Sequence, residues 1–188
     1  ATVKLTASQV AQLVQSGVEA LGRKDYRRAR KALERYVNPR KVAWPEADFV
    51  VGNPPFIGNK RMRKALGDGY VDALRLAWPD MSGNADFVMY WWNHSADLVR
   101  AGSARRFGLI TTNSITQLQN RNVVQEQMKK GLGLLFAISD HPWSQAHDGA
   151  NVRISMSVAE NGVQFGKSGQ IIGEVENDKE GASVELRW

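Results

Sequence analysis

A short apolar segment at residues 48–52 ends abruptly at Asn53, which is followed by Pro54, Pro55 and Phe56. Because Asn53 precedes a proline, its backbone is restricted to extended or turn conformations. The two prolines fix successive φ angles and carry no N–H group. The corner therefore offers carbonyl oxygens and one carboxamide beside the flat face of Phe56, which suits it to holding a planar amino group by its hydrogens. The alternative is a turn that only ends a strand.

Further motifs follow this corner in a fixed order. They are Leu66-Gly-Asp-Gly-Tyr70, Ala85-Asp-Phe-Val88, Gly108-Leu-Ile-Thr-Thr-Asn-Ser114, Ser139-Asp-His-Pro-Trp143 and Val152-Arg-Ile-Ser-Met156. With Gly52-Asn-Pro-Pro-Phe-Ile-Gly58, the ordered set resembles the catalytic half of S-adenosylmethionine-dependent DNA adenine-N6 methyltransferases. Within that family, the set resembles the large bacterial restriction-modification and phage-defence enzymes. The resemblance extends from Trp44 to about Gly162.

The resemblance implies a reaction. Asn53, through its side-chain oxygen, and Pro54, through its carbonyl, match the family's two acceptors for the N–H bonds of the adenine amine. Phe56 would stack on an adenine that has left the duplex, and Pro55 completes the catalytic motif. The chemistry needs no strong base, which fits the lack of a carboxylate in the motif. A protein glutamine or an RNA base would present a similar planar amine to the same corner.

The resemblance also suggests contacts to the methyl donor and to the base. Asp86, Tyr90 and Trp91 stand at helical spacing where the family places donor contacts. Core aromatics on a buried helix face are the alternative, which we favour for Trp91. Trp143 stands where the family carries an aromatic residue against the other face of the flipped base, unless it is a loop tryptophan covering the sheet edge.

Polar residues near the corner are candidates for DNA contacts. Lys60, Arg61, Arg63 and Lys64 directly follow the corner and could hold phosphates of the target strand. A solvated loop is the alternative. Asn113 ends the second central strand, where an α/β sheet presents its ligands, although strand termination alone would explain it.

The positive charge is concentrated near the N-terminus. Between Gly22 and Lys41 there are nine Lys or Arg and two acidic residues, a local charge of +7 against +6 for the whole chain. Apolar residues at helical spacing within this segment predict a basic helix. That helix either contacts phosphates, with salt-dependent binding, or is a packing helix with a solvated basic face.

The sequence pattern predicts that these residues are positioned by strands and helices of an α/β fold. Strands are predicted near 48–52, 107–112, 134–139 and 152–158, with helices near 8–21, 86–99 and 117–130. A hairpin is predicted around the turn Gly166–Gly169. Alternation of strands and helices indicates a mostly parallel sheet with a C-terminal antiparallel hairpin, as in a partial Rossmann-like class I methyltransferase fold. We expect a helical basic segment at 1–43, the catalytic half at 44–160 and a β extension at 161–188.

One feature of the resembling family is missing. The family binds S-adenosylmethionine at a glycine-rich turn upstream of the corner, but here only Gly17, Gly22 and Gly52 precede Asn53. We therefore expect a catalytic-half fragment that is inactive alone and depends on the rest of its parent polypeptide, including a target-recognition domain. A non-catalytic nucleic-acid-binding or interaction module with this fold is the alternative.

The composition bears on the cellular location of the protein and on whether it binds a metal. The chain has no cysteine and no run of eighteen apolar residues, so we expect a cytoplasmic protein without membrane contact. The resemblance and the basic segment imply double-stranded DNA as its partner. Three histidines without a helical pair argue against a zinc site, and no metal is expected.

Overall fold

The structure of the chain is a computed structural model. It describes residues 11, 12, 15, 36–143, 152–164, 166–177 and 181–188. The chain divides into two compact units. Unit one comprises residues 1–44 and 57–84, and unit two comprises residues 45–56 and 85–188. The corner at Asn53 therefore belongs to unit two, near the end of its first segment.

Unit one contains the helices α1 (Asn59–Leu66) and α2 (Asp68–Ala77). They meet at Gly67, whose φ of 90° lies where L side chains are rarely found. Because residues 57–84 share this unit with the N-terminal segment, the units cut across the predicted segments 1–43, 44–160 and 161–188, which stay a prediction.

The N-terminal predictions fall largely outside the described residues. Residues 11, 12 and 15 are helical, in agreement with the helix predicted over 8–21. Most of the predicted basic helix, which ends at Asn38, lies outside the described residues. None of the described helices combines the length and the apolar character that crossing a membrane would require.

Unit two alternates strands and helices and ends in a hairpin. Its elements are β1 (Phe49–Gly52), α3 (Val88–Arg100), β2 (Arg106–Thr112), a 3-10 helix (Asn113–Thr116), α4 (Leu118–Lys129), β3 (Leu132–Pro142), β4 (Arg153–Asn161), β5 (Lys167–Asn177) and β6 (Gly181–Arg187). The predicted α/β class is confirmed, and the central elements lie within a few residues of their predicted bounds.

The six strands form one sheet in the order β1-β2-β4-β3-β5-β6. The pairs β1–β2 and β3–β5 are parallel, whereas β2–β4, β3–β4 and β5–β6 are antiparallel. Four strands consequently run in one direction, with β4 and β6 opposed to them. The prediction of a mostly parallel sheet is right for strand direction and wrong for strand pairing, because β4 returns between β2 and β3.

The carboxyl ends of β1, β2 and β3 lie at one edge of the sheet because these strands share a direction. Gly52 pairs with Leu109, so β2 continues for three residues past the end of β1. Thr112 and His141 both pair with Ile154 at the start of β4. This carboxyl edge therefore gathers residues that follow three different strands.

Helices α3 and α4 pack on one face of the sheet. Trp92 of α3 is fully buried, and its ring meets that of Phe107 edge-on at 5.2 Å between centroids. Its Nε1 donates a hydrogen bond to the hydroxyl of Ser157 at 3.1 Å. The indole thus fastens α3 to β2 and β4 together, because a buried N–H needs a partner.

The C-terminal hairpin is present, but its turn is not where the glycines predict it. Lys167 already begins β5, and the hairpin joins β5 to β6. Gly169 instead lies against Trp188, since a Cβ at Gly169 would come within 2.9 Å of the indole ring. A glycine needed for close approach has the same sequence signature as one needed for a turn, so the predicted turn at Gly166–Gly169 is wrong.

Candidate active site

The corner at the end of β1 has acceptors with unused hydrogen-bonding capacity. Asn53 and Pro55 are exposed, Phe56 is half-buried and Pro54 is buried. Within the part of the chain that the structure describes, the Asn53 carboxamide and the Pro54 carbonyl take part in no hydrogen bond. The prolines also supply no N–H group that would occupy these oxygens. Both oxygens therefore have no hydrogen-bond partner among the described residues.

Phe56 has an aromatic partner that comes from the end of β3. Its ring meets that of Trp143 at 5.8 Å between centroids with an interplanar angle of 78°. Trp143 remains 45% exposed. The tertiary structure thus brings together the two aromatic residues that the sequence resemblance placed on either face of the base, here in an edge-on contact.

Asn113 makes contacts within the protein rather than pointing away from it. Its Nδ2 donates to Oδ1 of Asp140 at 3.0 Å, and its Oδ1 accepts from the Asp140 backbone N–H at 3.2 Å. The hydroxyl of Ser155 donates to the same Oδ1 at 2.9 Å. Asn113 therefore ties the ends of β2 and β3 to the start of β4.

Asp140 lies in an irregular part of β3. The pairing of β3 with β4 shifts register between Ile138 and His141, and Asp140 has a φ of 59°. Arg153 donates through Nε to the Asp140 carboxylate and through Nη2 to the Asp140 backbone carbonyl. Such irregularities recur beside active sites, where they redirect a side chain. Asp140 and Arg153 both lie within the sequence motifs, but no role was predicted for either residue from the sequence.

Asp86 belongs to a second polar cluster at the same edge. Its Oδ2 accepts from the hydroxyl of Ser114 at 2.7 Å and from Nδ2 of Asn120 at 2.8 Å. Its backbone N–H donates to Oδ1 of Asn120 at 2.9 Å. Asn120 is buried and also donates to the Ser114 carbonyl. One carboxylate oxygen of Asp86 is thus committed to joining α3, α4 and the end of β2.

Tyr90 and Trp91 differ in their surroundings. Tyr90 is 4% exposed and belongs to the buried face of α3. Trp91 is half-buried, with its ring edge-on to that of Phe87 at 4.4 Å. The structure therefore agrees with core packing for Tyr90 and leaves part of Trp91 at the surface.

An open apolar groove of 880 Å³ lies in unit two. Its walls include Ile110, Ile138, Met156 and Trp143 from the sheet and its carboxyl edge, and the C-terminal hairpin supplies further apolar residues. Sequence reasoning did not predict it. Because Trp143 borders open space here, core packing on this side does not fix the position of its indole.

The four basic residues that follow the corner lie on α1 of unit one. Lys60, Arg61 and Lys64 are exposed. Arg63 forms ion pairs with Asp68 at 3.1 Å and Asp72 at 2.8 Å. The hydrogen bond to Asp72 raises the pKa of the Arg63 guanidinium further above its ordinary value. Arg63 is thus already paired with carboxylates, whereas Lys60, Arg61 and Lys64 form no ion pair with any residue that the structure describes.

Comparison with known proteins identifies the family. The family model described as MmeI, DNA-methyltransferase domain, matches residues 19–165. The chain belongs to this family. The resemblance to DNA methyltransferases of restriction-modification systems that the motifs predict is thereby confirmed.

Two relatives of this MmeI-type domain are much longer than the chain. DNA methyltransferase A of Bacillus subtilis (strain 168) is 26% identical over 120 residues, a match that covers 58% of this chain and 13% of the relative. The solved structure of the type IIL restriction-modification enzyme MmeI in complex with DNA has the same fold at a TM-score of 0.54 and 20% identity. That likeness covers 73% of this chain and 18% of the other. The chain therefore spans less than a fifth of either relative.

The match to the MmeI family model contains both polar clusters of the carboxyl edge as well as the corner. It ends at residue 165, before β5 begins at Lys167. The hairpin that contributes to the apolar groove thus lies outside the segment that matches the family model.

Proposed function

We propose that this MmeI-type domain transfers a methyl group from S-adenosylmethionine to the N6 amine of an adenine flipped out of double-stranded DNA. The observation that carries the proposal is the pair of unused acceptors at Asn53 and Pro54 beside the Phe56–Trp143 aromatic pair. An amine held by its two hydrogens, on a base that contacts these two rings, is the ligand that we propose for this site.

The acceptors account for the activation of a poor nucleophile. The lone pair of the adenine amine is delocalised into the ring, and two acceptors on its N–H bonds favour a pyramidal nitrogen with that lone pair exposed. As the new N–C bond forms, positive charge develops on the nitrogen. Oxygens of Asn53 and Pro54 aimed at this charge stabilise the transition state more than the ground state. No carboxylate base is needed, since the proton on the nitrogen becomes acidic as the charge develops and is released to water after the methyl–sulfur bond of the donor has broken.

S-adenosylmethionine, when bound, supplies an electrophilic methyl group on a sulfonium. Of the three residues predicted to contact it, Asp86 and Trp91 fit the donor, because both are half-buried and keep exposed surface. Tyr90 fits poorly, because its side chain is buried. A glycine-rich turn is absent before Asn53, so we propose that tight donor binding requires other parts of the polypeptide. Titration calorimetry of this chain with S-adenosylmethionine tests this point, and tight binding would contradict it.

The position of β1 at the end of the described sheet also supports a contribution from another part of the polypeptide. β1 is the end strand, and Phe49 and Val51 on it are 54% and 83% exposed. An exposed apolar edge strand is a template for further pairing. We propose that the sheet is the catalytic half of a Rossmann-like class I methyltransferase fold and that another segment of the full-length protein completes it beside β1.

DNA contacts follow from charge. We propose that Lys60, Arg61 and Lys64 contact phosphates of the target strand, because they are exposed and directly follow the corner in sequence. Arg63 is less suited, since Asp68 and Asp72 already bind it. Target recognition is assigned to another domain of the full-length protein.

Identification of the methylated product tests the proposal. The full-length protein is incubated with S-adenosylmethionine labelled in the methyl group and with genomic DNA free of N6-methyladenine. The DNA is then digested and its nucleosides are separated by mass spectrometry. Labelled N6-methyladenine is the expected product. Labelled N4-methylcytosine would contradict the adenine assignment, and DNA that remains unlabelled would contradict the assignment to DNA.

A further inference from the structure

We propose that Asp140 is a positioning residue for the base site and that it acts through Trp143. The inference rests on the proposed function, because it assumes that Trp143 contacts the flipped base. It assigns a role to the cluster of Asn113, Asp140, Arg153 and Ser155 at the carboxyl edge, which the transfer reaction itself does not use.

The cluster fixes the backbone of β3 where regular pairing fails. Between Ile138 and His141 the register with β4 shifts, so the ladder does not hold Asp140 directly. Asn113 binds both the side chain and the backbone N–H of Asp140. Arg153 binds its carboxylate and its backbone carbonyl. Asn113, which directly follows β2, and Arg153 of β4 thus hold Asp140 by four hydrogen bonds in a left-handed conformation with a φ of 59°.

Trp143 depends on this anchor for its position. Its backbone N–H donates to the Val152 carbonyl at 2.9 Å, which continues the strand pairing that resumes after Asp140. Its side chain is 45% exposed, with Phe56 on one side and the open groove beside it. Since packing leaves the indole partly unconstrained, the path of the backbone from Asp140 to Trp143 sets where the ring meets Phe56.

The competing explanation is that Asp140 and Arg153 form an ion pair that only stabilises the sheet. A similar ion pair elsewhere in the sheet serves as a matched control. Arg106 of β2 donates through Nε and Nη2 to the carboxylate of Glu160 on β4. This pair also joins two adjacent strands and is also partly exposed, but Arg106 and Glu160 pair at the opposite end of β2 from Thr112 and Ile154. Exposed ion pairs contribute about 0–1 kcal/mol, so both pairs have a similarly small weight in stability.

A double-mutant cycle in the full-length protein tests whether Asp140 acts through Trp143. The variants are Asp140→Asn, Arg153→Met and the control Arg106→Met, each in the wild-type and the Trp143→Ala background. Asparagine tolerates the left-handed conformation, so Asp140→Asn removes the charge without straining the backbone. The readouts are kcat and the KM values for DNA and S-adenosylmethionine, with the genomic DNA described above as substrate.

We expect Trp143→Ala to raise the KM for DNA at least fivefold, since stacking on one aromatic side chain contributes about 1–3 kcal/mol per base. Asp140→Asn and Arg153→Met should raise it roughly fivefold as well, with the KM for S-adenosylmethionine unchanged. In the Trp143→Ala background neither should raise it further. Arg106→Met should leave the KM for DNA unchanged in both backgrounds.

Other results would overturn the inference or the proposed function separately. An equal rise in both backgrounds, or the same rise in Arg106→Met, would make the Asp140 cluster purely structural. A KM for DNA that Trp143→Ala does not change would remove the base contact on which the inference depends. If Asp140→Asn is unstable, Arg153→Met alone must show the pattern. A wild-type protein that forms no N6-methyladenine would refute the proposed function itself.

Discussion

Replacement of Asn53 by alanine should lower kcat by roughly 100-fold with almost no loss of stability. Asn53 is exposed, and its carboxamide bonds nothing within the described part of the chain, so the free energy of unfolding should change by about 0.5 kcal/mol or less. Loss of one group that stabilises developing charge costs about 2.7–4 kcal/mol, or 10²–10³ in kcat. Because Asn53 is solvent-exposed in the ligand-free chain, we expect the lower end, roughly a 100-fold fall in kcat.

The assay is the initial rate of labelled methyl transfer to DNA by the full-length protein at saturating donor, paired with urea unfolding of each variant. Asn122→Ala is the matched control, because Asn122 is an exposed asparagine on α4; it should leave kcat unchanged. An Asn53→Ala variant with more than a third of wild-type kcat would refute the acceptor role. A loss of activity together with a fall of several kcal/mol in the free energy of unfolding would show that the substitution had damaged the fold and not only the binding of the amine.

Three further predictions concern the fold. Trp92→Ala should lower the free energy of unfolding by about 3–5 kcal/mol in urea denaturation, because it removes a fully buried indole; a loss below 1 kcal/mol would contradict this packing. Val51→Lys should destabilise the full-length protein by about 2 kcal/mol or more if another segment covers β1. Val42→Lys, at a similarly exposed position of 72%, should cost about 0.5 kcal/mol or less, and equal effects would argue against a completed sheet. Burial, with a further contribution from Tyr36, raises the pKa of the Tyr70 hydroxyl above its ordinary value of 10.0. The neutral hydroxyl therefore contributes stability below that pH that is lost as the pH rises through the raised pKa, and Tyr70→Phe should flatten the fall in Tm at alkaline pH.

The corner and the order of the central elements could be predicted from the sequence because local rules specify them. The prolines after Asn53 force the end of β1 through their fixed φ angles. Apolar periodicity likewise identifies α3 and β2, since one face of each must be buried. Gly169 shows the limit of local rules, because a glycine is needed there for close contact with Trp188 and not for a turn.

The neighbours of each strand and the partners of each polar residue were decided only by the tertiary structure. The insertion of β4 between β2 and β3 turns a predicted parallel sheet into a mixed one. Asn113 was predicted to contact DNA, which stays a prediction, and the structure shows that its side chain binds Asp140 and Ser155. An amide or a carboxylate has the same local signature whether it binds a ligand or a neighbouring strand.

The sequence alone therefore determined which acceptors the corner offers at Asn53 and Pro54, because backbone geometry and acceptor type are local properties of the corner. Only the tertiary structure placed Trp143 against Phe56 and anchored it through Asp140. These contacts join residues far apart in the chain. Their formation depends on strand register and on packing over the whole sheet, which no short motif encodes.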